Sequence, residues 1–138
     1  MGKSDGAFVG PDGRKQPIEI KGSHCKKGKK RTCFMRGIRL RGTNWQHLFI
    51  VCRERDPDLW TDISEYASCG LRLAYVKRRD LLRAMRESNR GHLAEVDATI
   101  TPGSTRSWLG PYVRWVRVQD ISREWWDRHV LSDRFDQD

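Results

Sequence analysis

The 138-residue chain is predicted to form one α/β domain, a mixed central sheet flanked by helices. Three observations lead there. Near its start, a short apolar run and a run alternating apolar with charged residues flank a Pro-Asp-Gly turn, as in a β-hairpin. Further on, HLFIVCR at 47–53 is an unbroken apolar run of strand length, the pattern of a strand buried on both faces. Residues 77–89 and 121–131 place apolar side chains at helical spacing. Six tryptophans and 37% hydrophobic residues allow a real core despite 33% charged residues.

The hairpin spans residues 4–23, SDGAFVGPDGRKQPIEIKGS. Its first strand holds Ala7, Phe8 and Val9, and its second runs over 17–21. Between them Pro11 pre-sets φ and Gly13 is free to take a positive one. Alternation sends Ile18 and Ile20 to one face and Glu19 and Lys21 to the other. Asp5, at the mouth of the hairpin, approaches the Glu19–Lys21 surface from the neighbouring strand. Two carboxylates beside a lysine suit a hard divalent cation such as Mg²⁺, or Mn²⁺, held by one or two carboxylates with waters and a substrate phosphate. The lysine then orients an attacking water or offsets charge on a phosphate oxygen. A plain hairpin with a solvated Glu-Lys pair is the competing reading, and such a pair adds little stability.

Ser4-Asp5, thirteen intervening residues and Glu19-Ile20-Lys21 resemble the PD-(D/E)xK motif of restriction-endonuclease-like nucleases. The order of elements is similar to the branch that holds MutH and type II restriction enzymes. The resemblance implies a restriction-endonuclease-like fold and a Mg²⁺-dependent endonuclease of DNA. By position it assigns Asp5, Glu19 and Lys21 as catalytic, with Asp5, Glu19 and the Ile20 carbonyl as metal ligands. Ser4 stands where the family often has proline. Family members also carry a helix before the first acid, and Asp5 stands five residues from the start. The expectation is a minimal domain, cover from a partner chain or homodimer, or a chain that is part of a longer one.

Charge is unevenly spread. Residues 1–55 hold 14 Lys/Arg against 4 Asp/Glu, whereas residues 56–138 hold 13 against 14. The basic excess therefore shares its half of the chain with the carboxylate pair, as suits a polyanionic partner. Lys26, Lys27, Lys29, Lys30 and Arg31 form a dense cluster just past the second strand, and Arg36 follows; these are the candidate phosphate contacts. Cys25, Cys33, Cys52 and Cys69 are too far apart for a structural zinc motif. They are expected to be reduced, in an intracellular protein. The start of the chain lacks a secretory pattern, and the longest apolar run, 48–52, is far short of a membrane span.

Residues 32–46 carry Arg36, Arg39 and Arg41 with Gly37 and Gly42, and read as a short helix or as a strand and loop. The resemblance implies the helix. After the buried strand, 60–66 is ambiguous, 68–70 is a turn, and 71–76 is a strand with Leu71, Leu73 and Tyr75 on one face. The helix over 77–89 has Leu81, Leu82 and Met85 inward and a stripe of Arg79, Arg83, Arg86 and Arg90, either a solvated face or a nucleic-acid contact. A strand over 92–101, a loop over 101–107 and a strand over 112–118 follow. The closing helix, capped by Asp120 or Ser122, puts Trp125, Trp126 and Val130 into the core. The acidic residues 133–138 are expected to fray. Two classes of function emerge: the metal-dependent endonuclease, and a non-catalytic nucleic-acid-binding module with a decayed or incomplete site. No phosphate-binding glycine loop, dinucleotide fingerprint or nucleophile motif points elsewhere.

Overall fold

Everything in the architecture is arranged around one apolar strand. The computed structural model describes residues 4–24, 32–53 and 71–132. The hairpin strands are β1 (Gly6–Val9) and β2 (Lys15–His24), followed by β3 (Cys33–Arg39), β4 (His47–Arg53) and β5 (Arg72–Lys77). Helix α1 (Arg78–Glu87), β6 (Glu95–Ile100), β7 (Arg114–Arg117) and α2 (Arg123–Trp126) complete the order, and α2 runs on as a wider π turn over Asp127–Leu131. Among the described residues the body is mostly sheet, mixed α/β, with two short helices.

Five strands pair in the order β1-β2-β4-β5-β7. β2 and β4 run parallel, and the other neighbours are antiparallel. The sheet is therefore mixed, as the sequence implies. At the hairpin turn, Gly13 has φ 78° and its N–H donates to the Gly10 carbonyl at 3.0 Å.

Both faces of β4 are covered. On one, Leu48, Ile50 and Cys52 join Ala74 and Val76 of β5 under a second, two-stranded sheet of β3 and β6, with Leu81, Ala84 and Met85 of α1 closing the layer. On the other, Phe49, Leu73 and Tyr75 meet Trp125, Trp126 and Val130 of the closing segment. Phe49 and Trp126 stack with centroids 5.6 Å apart and planes 7° apart, and Phe8 meets Trp126 edge-on at 5.3 Å. Ser122 caps α2 by accepting the Trp125 N–H at 3.1 Å, so of the two cap candidates the serine serves.

The helix implied for 32–46 is a strand instead. Cys33, Met35 and Ile38 are buried while Phe34 and Arg36 are exposed. Arginines that look like a helical surface are the outward side chains of an alternating strand. Gly37 marks a bulge where the β3–β6 register shifts; its φ is 68°, and an added Cβ would lie 2.8 Å from the Glu95 carboxylate. Arg78 then holds the 40–45 turn, donating to the Leu40 carbonyl at 2.7 Å and the Trp45 carbonyl at 3.1 Å, with its guanidinium over the Trp45 ring.

Helix α1 ends as expected, with Asn89 at φ 61°. Its arginine stripe is partly engaged. Arg83 bonds Glu87 at 3.2 Å, and Arg90 lies over Trp108. Cys33 and Cys52 are buried in the larger core. No helix among the described residues is long and apolar enough to cross a membrane. The expectations for 60–66, 68–70 and 133–138 lie outside the described residues, as do Cys25 and Cys69.

This layering makes a testable distinction between two isoleucines. Ile50 is fully buried in the larger core, while Ile20 on the neighbouring strand is 48% exposed. Ile50→Ala is expected to cost about 2–5 kcal/mol, and Ile20→Ala within about 0.5 kcal/mol. Urea denaturation followed by tryptophan fluorescence checks both.

Candidate metal centre

The hairpin register brings the acids together. Gly6 lies opposite Ile18, and Asp5, just before the first paired residue, donates its N–H to the Ile18 carbonyl at 3.0 Å, which holds it beside the part of β2 that carries Glu19. The two carboxyl groups hydrogen-bond to one another. Asp5 Oδ2 also accepts the Ile20 N–H at 2.8 Å. In an extended residue the amide and carbonyl leave the strand on the same side. The Ile20 carbonyl therefore faces the edge that Asp5 occupies. Lys21 is next but one along β2, on the face of Glu19, and near enough for its charge to act on both acids.

The two acids differ in protonation. The bond from Glu19 and the Ile20 N–H hold Asp5 below the usual carboxylate range, with a smaller contribution from Lys21. Burial pushes Glu19 up to about 7, reinforced by its bond to Asp5 and the Asp5 charge; Lys21 opposes this only in part. Glu19 is therefore the acid that keeps its proton to higher pH, and Asp5 the one that stays ionised. The Asp5 and Glu19 carboxylates and the Ile20 carbonyl are hard oxygen donors of the kind a divalent cation such as Mg²⁺ would take, and such a cation would compete with the Glu19 proton. Among the described residues no group of three or more His, Cys, Asp or Glu gathers as a metal cluster, so waters and substrate oxygens would complete the shell.

The candidate residues are not all described. Asp5, Glu19, Ile20 and Lys21 converge at the β1–β2 edge. Arg36 is exposed on β3 with its guanidinium 5.6 Å above the Phe34 ring. That surface adjoins β2, because Ser23 Oγ donates to the Phe34 carbonyl at 3.1 Å. Lys26, Lys27, Lys29, Lys30 and Arg31 lie outside the described residues.

One polar cluster had no signal in the sequence. On the face away from Glu19, His47 is buried and bonded at both ring nitrogens, at 2.5 Å to Tyr75 and 2.5 Å to Gln16. Burial raises the Tyr75 pKa, so its hydroxyl keeps its proton and donates to Nδ1. Nε2–H then donates to Gln16 Oε1. Burial, with Lys77 and Arg79 nearby, lowers His47 to about 4. The imidazole begins an apolar strand in the sequence, and its partners come from two other strands, so only the fold unites them.

Opposite shifts give opposite pH slopes. Glu19 binds its proton more tightly when folded, so its contribution is full below about pH 4.5 and is lost as pH rises through about 7. His47 binds its proton less tightly when folded, so its contribution is full above about pH 6.5 and is lost as pH falls towards 4. In metal-free buffer, melting temperatures of Glu19→Gln are expected to rise with pH between 4 and 6.5, and those of His47→Gln to fall between 4.5 and 7. Parallel pH profiles of the two variants would contradict both assignments.

No protein-family model, curated protein or solved structure matches this chain.

Proposed function

We propose that the chain is a metal-dependent nuclease of the restriction-endonuclease-like kind, hydrolysing phosphodiester bonds in DNA at Asp5, Glu19 and Lys21. The observation that carries this is the fixing of Asp5 beside Glu19 by its bonds to the Ile18 carbonyl and the Ile20 N–H, with Lys21 alongside on the same strand. Two carboxyl groups held side by side repel once both ionise, and a bound cation would relieve that repulsion. The mixed sheet and the run from carboxylate hairpin to central strand are compatible with that family.

When bound, Mg²⁺ or Mn²⁺ supplies Lewis-acid polarisation of the phosphoryl group and a bound water of lowered pKa. Asp5, Glu19 and the Ile20 carbonyl would hold the ion. The Lys21 ammonium positions the attacking water and offsets the charge that grows on the phosphate as the new P–O bond forms and the bond to the 3′ oxygen breaks. Arg36 on β3, together with the basic run 26–31, places positive charge next in sequence to the site for the flanking phosphates. The protein acts within the cell, alone or as a homodimer.

The test is cleavage of supercoiled plasmid with Mg²⁺, Mn²⁺ or EDTA. Wild type is expected to nick or linearise DNA with either metal and to do nothing in EDTA. Lys21→Ala and Glu19→Ala should each lose about 100-fold or more in rate. Calorimetry supplies an independent check: Mg²⁺ should bind more tightly at pH 8 than at pH 6, with proton release, because it displaces the Glu19 proton. DNA binding without metal-dependent cutting would favour a non-catalytic module.

A further inference from the structure

The cluster around His47 opens into a cavity of about 300 Å³ that the nuclease reading does not use. We propose that this cavity binds a phosphate monoester of roughly mononucleotide size. The inference is independent of the metal centre, which lies on the other face of the sheet.

Position and charge carry it. Among the described residues the buried polar side chains are Ser23, His47 and Lys77, and two of these three line this cavity. His47 and Lys77 are cross-strand partners of β4 and β5, so both point to the same face. Gln16 and Gln46 add amide groups to the wall, and the exposed Arg79 stands at the rim. No carboxylate is among the described residues that line it. Asp80, with its side chain 14% exposed, lies 3.9 Å from Arg79 and also acts on Lys77, offsetting part of this charge from outside the lining. Both buried groups also have protein partners: His47 bonds Gln16 and Tyr75, and Lys77 donates to the Ser132 carbonyl.

The protonation of His47 bears on the same point. Burial is the main cause of its depressed pKa, and the charges of Lys77 and Arg79 add to it. The positive potential that drives a proton off the imidazole also attracts an anion. An ammonium, a guanidinium and two amides together match the several acceptor oxygens of a phosphate. Val130 and Leu131 leave one wall apolar, against which a sugar or base would lie. The volume admits more than a bare phosphate ion.

The two sources of such a group are a free mononucleotide and the phosphorylated end of a nucleic-acid strand. The experiment follows the His47 ring signals by NMR at constant ionic strength. Its probes are inorganic phosphate, adenosine 5′-monophosphate, and a short oligonucleotide with and without a 5′ phosphate. Phosphate and the mononucleotide are expected to shift those signals saturably. Arg79→Glu, a substitution at an exposed position, should weaken binding about tenfold or more, and Lys77→Met should do likewise. Glu19→Gln should leave it unchanged, which separates this site from the metal centre. A response to the oligonucleotide only when it is 5′-phosphorylated would assign the site to strand ends; a response to the mononucleotide alone would assign it to a free ligand. Unmoved His47 signals at millimolar phosphate and mononucleotide, or unchanged affinity in Arg79→Glu, would overturn the proposal.

Discussion

Strand β2 is paired on both sides, antiparallel to β1 and parallel to β4, and its register decides the character of both faces of the sheet. With Glu19 beside Leu48 and Lys21 beside Ile50, the charged residues of β2 emerge at the margin of the larger core. With Ile18 beside His47, its apolar residues meet the aromatic layer. A slip of one residue would exchange the two sets, driving Glu19 and Lys21 into the tryptophans and Ile18 towards Asp5. The carboxylate pair and the aromatic core are thus two consequences of one pairing.

The central strand imposes the second constraint. Because β4 is apolar on both sides, each face needs cover, and the chain supplies two different kinds. The β3–β6 ribbon and α1 cover one face, and a short helix with a π turn covers the other. The second cover is small and is dense in aromatic surface: Phe8, Phe49, Tyr75, Trp125 and Trp126 provide most of it. Aromatic residues bury about 150–250 Å² each, which lets one short segment do the work of a longer helix.

These features differ in how far they can be read from the chain. The β4 run, the hairpin, α1 and the inward tryptophans follow from local pattern, because periodicity and turn residues act over a few positions. Strand β3 does not, because its outward positions include Arg36 and Arg39, its period breaks at Gly37, and its pairing partner β6 lies about sixty residues away. The flank of the sheet was expected to be helical and is partly a second sheet, a choice made by tertiary packing over local preference. Asp5 and Glu19 could be brought together on paper because a hairpin is a local structure. The Gln16–His47–Tyr75 chain joins residues 28 and 31 positions apart on three strands, and no spacing rule anticipates it.

The two polar sites share a physical logic with opposite signs. In each, a titratable group is held in its neutral form at a place where charge has accumulated: Glu19 beside the Asp5 carboxylate, His47 beside Lys77 and Arg79. Each arrangement costs stability at some pH, since a neutral Glu19 must ionise against Asp5 above about pH 7 and a neutral His47 must ionise against two cations in acid. A chain selected only for stability would separate such groups, because a neutral group held against like charge gains nothing from its position. Local conflicts of this kind concentrate where a ligand of opposite charge relieves them. On that argument the proposed cation would relieve the acidic pair and the proposed anion the basic cavity. The fold keeps them apart by placing one on each side of a single sheet.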